Sequence, residues 1–387
     1  MSTKSIREYI AAVRDRYLRG TRRQKQAMLD EVCATCRYHR KAAIRALHRV
    51  PRARRARAGR PRRYADPLVQ SVLVAIWRAA DCVCGKRMRA LLPQWLASYE
   101  ALNGSLPPEI CAQLLAISAA TIDRRLIAVR KAAGMHGLSG TKPGSLLKIH
   151  IPIQTSQWEE HRVGFLEADT VAHCGGSLAG TFIWTLDCVD IASGWTVQRA
   201  VWGKGEHNVF VGIKDMERTL PFKLRGFDCD NGNEFINTTV LHYLLHRRQP
   251  VKFTRSREYK SNDNAHVEGK NWTHVRRQLG YNRFDNPDMV ATLNELFENE
   301  WLIYFNFFLP SVKLIKKERI GSHIRRVHDD PQTPAQRLLQ SPDVAESKKR
   351  WIRNILHTHN PFTLRKTIDV KRNQILRLAT TGKILPK

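Results

Sequence analysis

RVGFLEADTVAHCGGSLAGTFIWTLDCVDIASGWTVQRAVW, residues 162–202, contains three apolar and β-branched runs parted by two glycine-bearing breaks. The pattern predicts strands over 162–171, 181–189 and 194–202, joined at CGGSLAG (174–180) and IASG (191–194). The glycines of the first break could suggest a phosphate cradle, but no Gly-Lys-Ser/Thr follows, and a hairpin turn suffices. Asp187 and Asp190, ahead of the second break, are read as shaping that hairpin. Further on, the periodicity predicts a helix near 206–218, a strand at 222–228, a helix at 233–247, a strand at 250–254 and helices at 262–279 and 287–308. Three antiparallel strands followed by alternating α/β units predict a five-stranded mixed sheet with helices on both faces.

The first strand carries an acid, Asp169, within GFLEADTVAHCGG (164–176). A charge in a doubly buried strand is costly unless it is paired or bound to metal. RGFDCDNGNEF (225–235) ends a short strand at Asp230 before the turn at Asn231 and Gly232, so Asp230 is expected at the carboxyl end, where open α/β sheets place ligands. In YKSNDNAHVEGKNWTHVRRQLG (259–280), Asn264, Glu268, Asn271 and Val275 share one helical face, which lets Glu268 look inward at the sheet. Glu167 and Asp228, each two residues before the chosen Asp on the same strand face, are alternative acids nearer the sheet interior. Three carboxylates meeting from two strands and a helix are the oxygen ligands that two magnesium ions require. Such a metal pair serves both sides of an in-line displacement at phosphorus.

The strings LEADT, FDCDNGNEF and NDNAHVEGKNW resemble the Asp, Asp, Glu motif of the retroviral-integrase-like catalytic core shared by bacterial insertion-sequence transposases, over residues 155–340. The most specific part is DNG-x-EF, followed by a helix entered through Asn and Ala and carrying Glu. The resemblance implies a ribonuclease-H-like core at 159–310, with Asp169, Asp230 and Glu268 both catalytic and metal-ligating, for two Mg2+ ions or Mn2+ in their place. It implies a polynucleotidyl transferase, a DDE transposase that cuts DNA at transposon ends and transfers the strand into target DNA as a homodimer or higher oligomer. The 38-residue interval from Asp230 to Glu268 implies no large inserted subdomain. Retroviral integrases begin with a His-His-Cys-Cys zinc module, whereas this chain begins with helical units, so it looks like the bacterial branch. The alternatives are a sequence-specific DNA-binding regulator with a catalytically idle integrase fold, and a ribonuclease-H-type nuclease, which would have little use for those units.

The rest of the chain reads as nucleic-acid binding. Sixty-five Lys and Arg against 35 Asp and Glu give a formal charge of +30, which repels itself unless a polyanion is the usual partner. Double-stranded DNA is expected; a membrane surface is disfavoured because the charge is spread over several segments. Residues 1–50 predict a three-helix unit of helix-turn-helix type, opened by a Ser5–Glu8 capping box and continued by a Thr21–Gln24 box. Its third helix offers His39, Arg40, Lys41 and Arg45 to DNA, or simply a solvated basic face. Residues 51–65 form an arginine-rich linker, in which Arg57, Arg60, Arg62 and Arg63 suit a narrow minor groove.

A second helical domain of helix-turn-helix type is expected at 66–135, with a break at Ile117–Ser118 and a recognition helix bearing Thr121, Arg124, Arg125 and Arg130. Residues 136–158 are a linker into the sheet domain. Arg255, Arg257 and Lys260 before the Glu268 helix, and Lys270, Arg276 and Arg277 on it, are candidate phosphate contacts. Residues 311–387 read as a basic extended arm, broken by Pro331 and Pro334, and then a helical basic region that binds DNA or a second subunit. Neither Cys33/Cys36 nor Cys82/Cys84 has a second pair at finger-like spacing, which predicts reduced core thiols over zinc. No run approaches the ~18–20 apolar residues that span a bilayer, and the start is charged throughout. A soluble protein follows, cytoplasmic and nucleoid-associated if it is bacterial as the resemblance implies.

Overall fold

The computed structural model of the chain describes residues 2–49, 64–133, 162–229, 234–235, 237–255 and 265–381. Contacts divide it into two compact units, Met1–Arg62 and Arg63–Lys387.

The first unit has three helices, α1 (Thr3–Arg19), α2 (Arg22–Cys36) and α3 (Arg40–His48). Thr21 and Gln24 cap α2 reciprocally, as the sequence predicts, with the Thr21 N–H donating to the Gln24 side chain at 2.8 Å. The start of α1 departs from expectation: Ser2, not Ser5, is the N-cap and accepts from the Ser5 N–H at 3.1 Å. Ser2 presents the same hydroxyl one turn earlier, and the extra turn adds backbone hydrogen bonds in a stretch without Gly or Pro. Val13, Tyr17, Leu29, Val32, Ala43 and Leu47 close a small core that also takes in Cys36, so this thiol is a packing residue.

The second unit begins with α4 (Pro67–Ala79), α5 (Gly85–Asn103), α6 (Pro108–Ala116) and α7 (Ala119–Ala132). Val69, Val72, Leu73, Ile76 and Trp77 make α4 a buried helix. The expected break is present: Ile117 ends α6, and Ser118 caps α7 by accepting from the Thr121 N–H at 3.3 Å. Gly85 lets the start of α5 approach α7, since a Cβ there would stand 2.4 Å from the Ala119 carbonyl oxygen. These helices share one hydrophobic cluster with the sheet that follows.

The sheet is built from β1 (Phe165–Ala172), β2 (Ile183–Asp190), β3 (Thr196–Trp202), β4 (Gly226–Cys229) and β5 (Lys252–Arg255), with α8 (Glu206–Thr219) and α9 (Thr238–Leu245) between the later strands. Its order is β3-β2-β1-β4-β5; β1 pairs antiparallel with β2 and parallel with β4. This is the predicted five-stranded mixed sheet, in the ribonuclease-H-like order. The glycine-rich stretch between β1 and β2 is a turn whose Ser177 and Ala179 carbonyls accept from the Arg283 guanidinium at 2.8 and 2.7 Å. One sheet face takes α8, where Gly212 comes so near Leu186 that a Cβ would stand 2.5 Å from its methyl. The opposite face takes α10 (Ala265–Lys270), which runs through a π-helical segment, Asn271–Arg276, into α11 (Arg277–Leu279).

A long helix then covers the outer edge of the sheet. It comprises α12 (Met289–Leu296) and π-helical turns at Phe297–Trp301 and Tyr304–Phe308. Asn294 exchanges two hydrogen bonds with the backbone of Ala200, at 2.7 and 3.0 Å, and Asn306 does the same at Thr196, both at 2.8 Å. The amide side chain has one donor and one acceptor side, so it completes the backbone ladder that an edge strand leaves open. Asn306→Ala is expected to strip both partners from a buried backbone pair and cost about 2 kcal/mol, read in a urea melt.

The C-terminal region corrects one expectation. The arm predicted as extended forms a hairpin, β6 (Leu314–Ile320) and β7 (His323–His328), followed by α13 (Pro334–Gln340), α14 (Glu346–Thr358) and α15 (Pro361–Thr381). Gly321, with φ +60°, opens a two-residue Gly-Ser loop, a connection that favours Gly first. No helix among the described residues is long and apolar enough to cross a membrane.

Candidate active site

The alternation of β1 puts Glu167 and Asp169 on one face of the sheet, beneath α10. Register extends this acidic face: Asp169 stands opposite Asp187 on β2, and Glu167 opposite Asp228 on β4. Ala168 pairs with Cys229; Asp230, next in sequence, lies outside the described residues.

The helix carrying Glu268 is fastened to β1 at two points. One Glu167 oxygen accepts from the backbone N–H groups of His266 and Val267, at 3.0 and 3.2 Å, and so satisfies donors that a helix start leaves open. One turn further, Asn271 Nδ2 donates to Asp169 Oδ2 at 2.6 Å, while Asp169 Oδ1 accepts from the Thr170 N–H at 2.7 Å. Glu268 lies between these two fastenings and is exposed. Truncating Glu167 to Ala is expected to cost about 1–3 kcal/mol and speed exchange of the His266 and Val267 amide hydrogens. Glu167→Gln keeps an acceptor oxygen and is expected to preserve most of that protection.

Burial dominates the electrostatics. It pushes the Glu167 carboxyl up to about 8, with the Asp228 and Glu268 carboxylates adding and the two helix N–H groups opposing. It raises Asp187 to about 7, against a hydrogen bond from Gln198 and the charge of Lys270. Lys270 is lowered to about 8 by burial and by Arg87. Partial desolvation raises Glu268 as well, although the residue is exposed. The carboxylate oxygens of Asp169 and Glu268 are hard donors of the kind magnesium takes, and buried Asp187 Oδ2 has no hydrogen-bond partner among the described residues. Among those residues, no group of three His, Cys, Asp or Glu side chains could by itself hold a metal ion.

The candidate DNA contacts fall on both units. His39 is the N-cap of α3 and accepts from the Lys41 N–H at 3.3 Å, while Arg40 reaches Asp30 and Gln26, both at 2.5 Å. Arg45 donates to the Lys41 carbonyl at 3.2 Å. On α7, Arg124 is exposed and donates to Thr121 at 3.0 Å, and Arg125 is half-buried. Arg276 lies over the Tyr281 ring at 4.8 Å, and Arg277 is held by Asp81 at 3.3 Å. Arg57, Arg60, Arg62, Arg63, Arg257 and Lys260 lie outside the described residues.

Sequence reasoning missed three features of the site. It kept Glu167 only as a substitute acid, whereas here it anchors the helix. The helical spacing puts Asn271 on the face that meets the sheet, but a spacing cannot show that it meets Asp169. Asp187 was read as a turn-former beside Asp190; only Asp190 does this, accepting from the Ser193 N–H at 2.7 Å and from its hydroxyl at 2.5 Å. The signal was available, because two strand residues three apart point to opposite faces.

A mixed sheet in this order, with acids on its central strand beneath a helix, defines a ribonuclease-H-like chain. No family model matches it. It is 37% identical over 344 residues to a protein of Sinorhizobium fredii (strain NBRC 101917 / NGR234) described as "Uncharacterized protein y4rM", over 87% of this chain and 95% of that protein. The chain belongs to the same family as that protein. Among solved structures, the catalytic core domain of BIV integrase is similar over 45% of this chain and 91% of that one, at 15% identity and a TM-score of 0.26. With so low a score, the fold assignment rests on the strand order.

Proposed function

We propose that the chain is a DDE-type transposase: a polynucleotidyl transferase that cuts DNA at the ends of a mobile element and joins the freed 3′ hydroxyl to target DNA. The observation that carries this reading is the double fastening of the Glu268 helix to the strand of Asp169, through Glu167 and Asn271. Asp230 follows Cys229, whose register partner immediately precedes Asp169. On this reading Asp230 completes the set.

Asp169, Asp230 and Glu268 would hold two magnesium ions, or manganese in their place, which when bound activate the attacking hydroxyl and stabilise the leaving oxygen. Glu167 and Asn271 keep the helix and strand in fixed relation, so that Glu268 does not swing away from Asp169. Lys260, Lys270, Arg276 and Arg277 are the proposed contacts to the phosphates of the strand being cut.

Double-stranded DNA, as element ends and as target, is the proposed partner. α3 with His39, Arg40, Lys41 and Arg45, and α7 with Thr121, Arg124 and Arg125, read the ends as helix-turn-helix units. The linker arginines Arg57, Arg60, Arg62 and Arg63 follow the minor groove between them. Two ends must be handled together, so a homodimer or larger assembly on DNA is the working form.

The test is purified full chain incubated with a duplex carrying the element's own ends, with magnesium or with a chelator, and products sized on a denaturing gel. The proposal expects a nick at the element boundary that needs the metal. Specific binding without a nick would instead make the chain a regulator, and cutting confined to RNA in hybrids would make it a ribonuclease.

A further inference from the structure

The β6–β7 hairpin is unlike the rest of the second unit in exposure and charge. Residues 314–328, LIKKERIGSHIRRVH, hold five Lys and Arg and one Glu. β7 is exposed along nearly its whole length, and Ile315 and Ile320 are 67% and 59% exposed. Cations on a ribbon discourage pairing with another strand, but that leaves the outward isoleucines unexplained. In register, Glu318 stands opposite Arg325 and Arg319 opposite Ile324.

The root of the hairpin is fixed. Lys313 and Asp329 are bridged by backbone and side chain, with the Asp329 N–H donating to the Lys313 carbonyl at 2.9 Å. Arg337 binds Asp329 at 2.8 Å and the Ser311 carbonyl at 2.9 Å. Lys313 Nζ donates to the Ala192 carbonyl in the β2–β3 turn at 2.6 Å. A basic, two-stranded ribbon with a fixed root therefore extends from the sheet domain.

We infer that this ribbon grips duplex DNA. The major groove, about 12 Å wide, admits a two-stranded ribbon. Arg319, Arg325 and Arg326 supply charge for phosphates, and the isoleucines supply apolar contact of the kind thymine methyls accept. A second copy of the chain fits this surface poorly, because it brings another formal charge of +30. The inference rests on the proposed reading of the chain as a DNA enzyme.

The experiment is equilibrium binding of the full chain to a labelled duplex of arbitrary sequence across a salt series. Two variants are compared with the parent: Arg319→Gln with Arg325→Gln and Arg326→Gln, and a replacement of residues 314–328 by Gly-Gly. The slope of log affinity against log salt is expected to flatten by about two to three in the triple variant, since each lost phosphate contact removes roughly 0.9. Affinity near 0.1 M salt is expected to fall about tenfold or more in both, with the melting temperature of the triple variant unchanged. If the parent binds and both variants match it, the inference is overturned and the proposed function stands. Variants that lose self-association while keeping DNA affinity would make the ribbon a subunit contact, which also overturns it. A parent that binds no duplex overturns both.

Discussion

Asp169→Asn is expected to lower magnesium-dependent DNA cleavage by the full chain about a thousandfold or more, with Asp230→Asn and Glu268→Gln equally damaging. The amide keeps the shape of the carboxyl and an oxygen that Asn271 can still donate to, so the fastening seen at 2.6 Å should survive. What is lost is the negative charge. The folded state should therefore melt within about 1 kcal/mol of the parent, and end-binding should be largely kept. A gel of cleavage products beside a denaturant melt checks both halves. If Asp169→Asn still cuts while Asp228→Asn and Glu167→Gln do not, the working acids lie two residues earlier on each strand.

Trp95→Ala is expected to cost about 3–5 kcal/mol, the largest stability loss among these predictions. Trp95 is completely buried on α5, donates to the Phe308 carbonyl at 3.1 Å and meets the Phe362 ring edge-on at 5.1 Å. One side chain thus joins the N-terminal helices of the unit, the helix covering β3, and α15. Because the hydrophobic cluster is continuous across these parts, α4–α7 and the sheet should unfold in one transition. Scanning calorimetry of the variant should show that shared transition lowered by roughly 10 °C. A split trace, with the sheet melting at its original temperature, would mean the helices form an independent domain.

The legible parts of this fold are those set by local periodicity. β1, β2 and β3 announce themselves as apolar and β-branched runs between glycine-bearing breaks, and the Thr21–Gln24 and Ile117–Ser118 signals mark helix boundaries because caps are local chemistry. The β6–β7 hairpin was hidden although Gly321–Ser322 is a fair turn signal: charges fall on both faces of its strands, so no apolar alternation flanked the turn. The site divides the same way. Asp169 and Glu268 draw notice in the sequence because an acid in an apolar strand and an acid on a helix face expected to look inward each ask for an explanation, although the structure leaves Glu268 exposed. The bonds from His266, Val267 and Asn271 back to β1 cross about a hundred residues of chain, and no local pattern encodes such pairings. The π-helical turn that carries Asn271 is equally hidden, since α-helical spacing carries no mark of a wider turn.

The most direct measurement is a crystal structure of the full chain grown with manganese, its ions located by anomalous scattering. Metal peaks bridged by carboxylate oxygens of Asp169, Asp230 and Glu268 at about 2.0–2.3 Å are the predicted result. Manganese bound elsewhere, with those three carboxylates too far apart to share an ion even on cleavable DNA, would contradict it.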